Sequence, residues 1–262
     1  MDKATVIGIL VALGGIFAGL LLEGGRLSQI LQPTAAMIVF GGTLGAILIQ
    51  FPLAVAAHAL RRLAHIFATP KSDPRQTVTD LVQYAQRARR EGIVSLDREL
   101  SGITDPFLKK ALMLAVDGTE PQELRKVMEL ELDNRTERED KAPQVFESAG
   151  GFSPTIGIIG AVLGLIQVMQ HLDKIDEVGR GIAVAFVATI YGVGAANLFF
   201  LPAAGKLRIR IREEQIVHEM TLEGVISILE GMNPRMLETK LMSFLADAGK
   251  QDSAAKARGA HA

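Results

Sequence analysis

A few polar side chains stand out because they sit in long stretches without a charged residue. Thr155 and Gln167 lie in one such stretch, and Thr189, Tyr191 and Asn197 in another. A hydroxyl inside a helix can bond its own backbone carbonyl and then needs no function. One that faces a water-filled gap can instead help an ion pass. Thr189, near the middle of its stretch, is the candidate for that role. The missing group is as informative: no Asp or Glu lies in any of these stretches. Proton relays through membranes use such carboxylates, so a proton path here must borrow one from a partner helix.

Other chemistry is absent. The chain has no cysteine, which removes disulfides and thiolate metal sites. His58, His65, His171, His218 and His261 are scattered without metal-ligand spacing and read as polar surface or membrane-interface residues. There is no phosphate-binding loop of the Walker A type, no G-x-S-x-G and no H-E-x-x-H. Gly179 and Gly181 begin like a dinucleotide fingerprint, but Val184 takes the third position and no strand precedes them. The expectation is a protein that is not an enzyme, with no metal and no cofactor beyond a transported ion.

Small residues and prolines complete the candidate machinery. Gly15 and Gly19, Gly41 and Gly45, and Gly160 and Gly164 are each four apart, a spacing that lets helices approach closely. Pro154 and Pro202 fall near the ends of their stretches. A proline removes a backbone donor. Each marks either a helix boundary or a hinge between membrane and cytoplasmic parts.

The elements that must position these residues follow from hydropathy. Apolar residues are 48% of the 262, with 22% charged and mean hydropathy +0.26. Those values coexist only if the two classes are segregated along the chain. Uncharged runs cover residues 4–22, 27–60, 148–172 and 181–205. Roughly 20 apolar residues of helix cross a bilayer, so four spans are expected, the second centred on residues 34–51. A net charge of −1 gives no basic field for nucleic acid.

Orientation follows from Lys and Arg. The link after the first span carries only Arg26, and that after the third only Lys174 and Arg180. Arg61 and Arg62 follow the second span, and Lys206, Arg208, Arg210 and Arg212 follow the fourth. Both termini and the long middle segment are therefore expected in the cytoplasm, in a multi-pass membrane protein.

The cytoplasmic part reads as helical. Asp73-Pro74, Thr104 with Pro106, Thr119 with Pro121 and Asn233-Pro234 are helix starts. Gly92 and Gly118 are stops. The third of these helices is expected to run past Asp133 into the charged stretch 134–141. The pattern Leu207, Ile211, Glu214, Ile216 carries the fourth span's helix onward. The fold expected is all-α: a polytopic membrane protein with four transmembrane helices and a helical cytoplasmic domain. The segments are 1–60 with spans one and two, 61–147 cytoplasmic, 148–205 with spans three and four, 206–247 cytoplasmic C-terminal helices, and 248–262 a disordered tail. A linker at 70–74 leads into the first cytoplasmic helix.

Three motifs carry a family likeness. Residues 150–165, GGFSPTIGIIGAVLGL, resemble the third-span signature of the MotA/PomA flagellar stator family. Asn197-Leu198-Phe199-Phe200-Leu201-Pro202 and Glu230-Gly231-Met232-Asn233-Pro234-Arg235 also resemble that family. The resemblance runs to about residue 246. It implies a homo-pentamer around two copies of a single-span MotB/PomB-type subunit, whose Asp carries the ion and whose outer domain anchors to peptidoglycan. It implies rotor contact with FliG through Arg89 and Asp97, with Arg90 a neighbour sharing the role. The family usually has Glu where Asp97 stands, so a shorter side chain acts there or Glu99 helps. Pro154 and Pro202 match the two coupling prolines, and Thr189 matches the fourth-span threonine near the ion path. Sodium-driven members tend to have a second threonine where this chain has Ala161. A hard cation wants oxygen ligands, so Ala161 favours protons.

Two alternatives compete with the stator subunit. One is a proton channel of the ExbB/TolQ type, whose members have three spans and a long N-terminal outer segment. Here the first two spans are closely paired, which favours the stator. The other is a membrane scaffold with no ion flux.

Overall fold

The computed structural model describes residues 3–67 and 73–245. Among them there are helices and turns and no strand. The chain divides into two compact units: Met1–Thr69 with Glu139–Ile209, and Pro70–Arg138 with Arg210–Ala262.

The first unit holds the four apolar segments. The first span is Lys3–Leu22. Gly24 ends it with φ +80°, and the Gly25 N–H reaches back to the Leu20 carbonyl at 2.9 Å, the usual glycine stop. The single uncharged run 27–60 is not one helix. It forms a turn at Leu27–Ile30, a span at Pro33–Gln50, a break at Phe51 and Pro52, and a further helix, Leu53–Phe67. Proline at 33 and 52 sets both restarts, because its ring suits a first helical turn and denies a donor to the turn before. Leu53–Phe67 continues across the expected boundary at residue 60.

The third span is the last part of one 50-residue helix, Pro121–Gln170, which runs through Pro143 and Pro154 without a break. The fourth belongs to a 55-residue helix, Ile175–Leu229. A π turn at Ala196–Phe200 interrupts its α-helical pattern, and a second π turn, Met37–Gly41, lies in the second span. The buried residues of this unit are mostly small, with Ala35, Ala56, Ala59, Ala142, Ala149, Ala188, Ala203 and Ala204 among them. That suits helices packed in lipid, where burial of bulk apolar area drives no association and close backbone approach does.

The second unit has a core of the water-soluble kind. Leu81, Leu96, Phe107, Leu112, Leu124, Met128, Met220, Ile226, Leu237 and Leu241 are fully buried together. Asp73 caps the helix Pro74–Glu91 through the Arg75 N–H, and Asp105, not Thr104, caps Pro106–Val116 through the Phe107 N–H at 2.9 Å. Asn233 accepts from the Arg235 N–H at 3.0 Å and caps the helix at 234–245. Most of the linker expected at 70–74 and the tail expected from 248 lie outside the described residues.

Candidate functional site

The third and fourth spans meet backbone to backbone. A Cβ added at Gly157 would lie 2.9 Å from the Ala188 carbonyl oxygen and 3.3 Å from the Gly192 Cα. At Gly164 it would meet the Gly181 oxygen at 2.8 Å and the Ala185 nitrogen at 2.9 Å. At Gly192 it would meet the Ser153 oxygen at 2.5 Å. Only glycine fits these positions unless a helix moves. Gly160 also packs on this seam, against Ala188. Gly15, Gly19, Gly41 and Gly45 have nothing within 4 Å of an added Cβ, so their spacing serves no close packing among the described residues.

The predicted ion-path residues lie along this seam. Thr189 is half-buried, and its hydroxyl donates to the Ala185 carbonyl at 3.2 Å. Its oxygen lone pairs stay open to another donor or an ion. Ala161, also half-buried, lies between Gly157 and Gly164 and offers no side-chain oxygen. Ser153, which faces Gly192 across the seam, is fully buried, and its Oγ has no hydrogen-bond partner among the described residues.

Neither proline ends its helix. Pro154 is half-buried in mid-helix, one residue beyond Ser153. Pro202 is exposed and follows the π turn directly. Its ring would crowd the carbonyl four residues back in a regular α-helix. A wider turn placed immediately before it relieves that crowding. Asn197, within this turn, donates to the Val193 carbonyl at 2.9 Å.

Two charged clusters escaped the sequence reading. Glu139 accepts the Arg62 Nε–H at 2.6 Å and lies 3.1 Å from the His58 ring nitrogen. Burial pushes the Glu139 carboxyl up; the Arg62 guanidinium and His58 override it and hold it below its ordinary value. Arg208 and Glu147 form a two-pronged pair at 2.7 and 2.8 Å, the strong arginine–carboxylate geometry. No local pattern signalled either one, because their partners are 61 to 81 residues apart in sequence.

His218 corrects an expectation. It is buried, 4.7 Å from the Phe107 ring centroid, and is not a surface residue. Burial and the nearby Arg135 hold its pKa below the usual histidine value, against the pull of Asp105, Glu214 and Glu131. His58 and His171 are partly exposed, with ring nitrogens 3.1 Å and 3.3 Å from the Glu139 and Glu177 carboxylates. The side chain of His65, and His261, lie outside the described residues.

The predicted rotor charges share one turn of the second unit. Arg89 and Arg90 are exposed in the last turn of Pro74–Glu91. Gly92 (φ +84°) then reverses the chain into the 3₁₀ segment Ile93–Glu99, where Asp97 is exposed. The neighbouring Arg87 pairs with Glu99. That pair closes the turn and occupies Glu99, leaving Arg89, Arg90 and Asp97 presented outward.

Comparison with known proteins agrees with this architecture. Residues 99–220 match the MotA/TolQ/ExbB proton channel family, and residues 6–92 match the motility protein A N-terminal family. Motility protein A of Bacillus subtilis is 35% identical over 250 residues, covering 94% of this chain and 91% of that protein. The structure of C. jejuni MotAB superposes with TM-score 0.88 at 30% identity, covering 93% of this chain and 96% of that one. The flagellar MotAB stator complex from Bacillus subtilis gives 0.86 at 33% identity, covering 97% and 100%.

The chain belongs to the MotA/TolQ/ExbB proton channel family, within its MotA/PomA flagellar stator branch. It is a multi-pass inner-membrane protein whose function is that of a flagellar motor stator subunit. The N-terminal match, which includes the first two spans, separates it from the ExbB/TolQ alternative.

Proposed function

We propose that this subunit surrounds a single-span MotB-type partner and, driven by proton flow along the seam at Thr189, turns against it to push on the rotor. One observation carries the reading: the four uncharged segments contain hydroxyls but no carboxylate. Proton relays through membranes run on ionisable side chains, commonly carboxylates, so in this reading the partner supplies an Asp. That two similar solved structures are MotAB complexes supports the choice of partner.

Five copies around a partner dimer follow from the family resemblance. Ala161 in place of an oxygen-bearing side chain favours protons over sodium. Both termini lie in the cytoplasm in this reading, which the crowding of Lys and Arg after the second and fourth spans supports. Arg89, Arg90 and Asp97 then face the rotor protein FliG from the cytoplasmic side, and Pro154 and Pro202 couple ion passage to movement of the helices that carry them.

Swimming and ion flow in Thr189→Ala and Pro154→Ala strains test the reading. Both variants are expected to insert and to bind the partner yet lose motility. Normal swimming in both would contradict ion coupling and leave a scaffold.

A further inference from the structure

The link between the first two spans is more than a surface loop. After the turn at Leu27–Ile30, Leu31 and Gln32 are extended (φ −86°, ψ 92° and φ −122°, ψ 100°) before Pro33 restarts the helix. This break leaves the Ile30 carbonyl and the Gln32 N–H without helical partners. Both find the same one. The Tyr191 hydroxyl donates to the Ile30 oxygen at 2.5 Å and accepts the Gln32 N–H at 3.2 Å.

Gln32 immediately precedes Pro33, the first residue of the second span, and Tyr191 lies within the fourth. Where spans meet, irregular backbone is tolerated only if protein groups satisfy it. One phenol does so here from another span.

The same side chain fixes a direction. Val184, Val187, Ala188 and Tyr191 form the face of the fourth span that packs on Ala35 and Val39 of the second. The Tyr191 ring stacks on Phe40, with centroids 6.0 Å apart. Thr189 is two residues back, about 200° around the helix, so it points away from that contact. We infer that Tyr191 is a positioning residue: its hydroxyl, locked between Ile30 and Gln32, sets the rotation of the fourth span and thereby aims Thr189 at the ion path. The inference rests on the reading of Thr189 given above.

The natural chain has no cysteine, so a single introduced one gives the only thiol signal from this subunit. In the full-length complex with its partner, cysteines placed singly at 188, 189 and 190 would be labelled with a small water-soluble methanethiosulfonate, with and without Tyr191→Phe. Phenylalanine keeps the ring on Phe40 and removes only the hydroxyl. The expected result is reactivity strongest at 189 and, in the Phe background, about fivefold to tenfold weaker there and redistributed to its neighbours, the scale of one lost net hydrogen bond. Amide exchange at Gln32 rises with it, and ion flow falls while the partner still co-purifies. Phe40→Leu, which spares the hydroxyl, leaves the labelling pattern in place. An unchanged pattern in Tyr191→Phe would overturn the inference. If Thr189→Ala conducts normally, the ion-path reading fails on that result alone, and the labelling pattern still decides whether Tyr191 sets the rotation.

Discussion

The Ser153 carbonyl oxygen faces Gly192 so closely that an added Cβ would lie 2.5 Å from it. This is backbone against backbone, so no side chain can swing away. Gly192→Val is expected to force the third and fourth spans apart, at a cost of about 1–3 kcal/mol. Gly194, two residues on, has open space around its Cβ position. Gly194→Ala should be neutral or gain up to ~1 kcal/mol of helix propensity. Thermal melting of the purified complex, with swimming, checks the pair. Equal effects at both positions would rule out the tight seam.

Glu139 and Arg62 predict a pH dependence. The Glu139 carboxyl sits below its ordinary value of 4.5 in the folded chain. A depressed acid contributes stability that is complete above the unfolded value and lost as pH falls through the folded one. Glu139→Gln should therefore lower the melting temperature near neutral pH. The gap to the natural protein should narrow as pH falls below about 4.5. A gap independent of pH would assign the loss to packing.

His218 predicts a loss of stability on acidification of the same sign, at higher pH. Its folded pKa lies below 6.5, so the neutral ring is the folded form. Stability from this site is complete above about 6.5 and declines as pH falls through the range between the unfolded and folded values. His218→Gln, a neutral side chain of similar reach, should flatten that decline between pH 7.5 and 5.5 in calorimetry, taking the unfolded value of about 6.5 as the centre. An unchanged slope would move the effect to another group.

The exposed turn predicts a separation of functions. Arg89→Glu with Asp97→Lys reverses two outward charges and leaves the Arg87–Glu99 pair that closes the turn. Swimming should be impaired while ion flow persists. The natural contact should also weaken with salt, since screening acts within ~10 Å at 0.1 M. Loss of ion flow in the double variant would place these charges in assembly.

Much of this was legible in the sequence, for identifiable reasons. The spans announced themselves because charge is expelled from a bilayer segment over some twenty residues, a signal no other constraint mimics. The caps at Asp73 and Asn233 were local chemistry and were read correctly. Thr104 was read with Pro106 as the helix start, but Asp105, the residue directly before Pro106, makes the cap. Pro154 and Pro202 left boundary and hinge both open. Both helices continue through them, at Pro202 with the help of a π turn that no residue pattern encodes.

What remained hidden depends on partners far apart in the chain. The Tyr191 contacts join residues 159 and 161 positions apart. His218 looked like a solvated histidine because nothing in its neighbourhood reveals that Phe107 covers it. Glu139 sits in a charged stretch that reads as a solvated face until Arg62 and His58 arrive from another helix. Of the candidate site, the residue types were visible beforehand, and the seam that arranges them came only from tertiary packing.

The most direct test of the central claim is swimming speed of a stator-deleted strain carrying this chain with a MotB-type partner, measured against sodium concentration and against a proton uncoupler. Proton coupling predicts a speed indifferent to sodium that collapses with uncoupler. A speed that rises with sodium would overturn the ion, and no swimming under any condition, with the complex intact in the membrane, would contradict the torque-generating role itself.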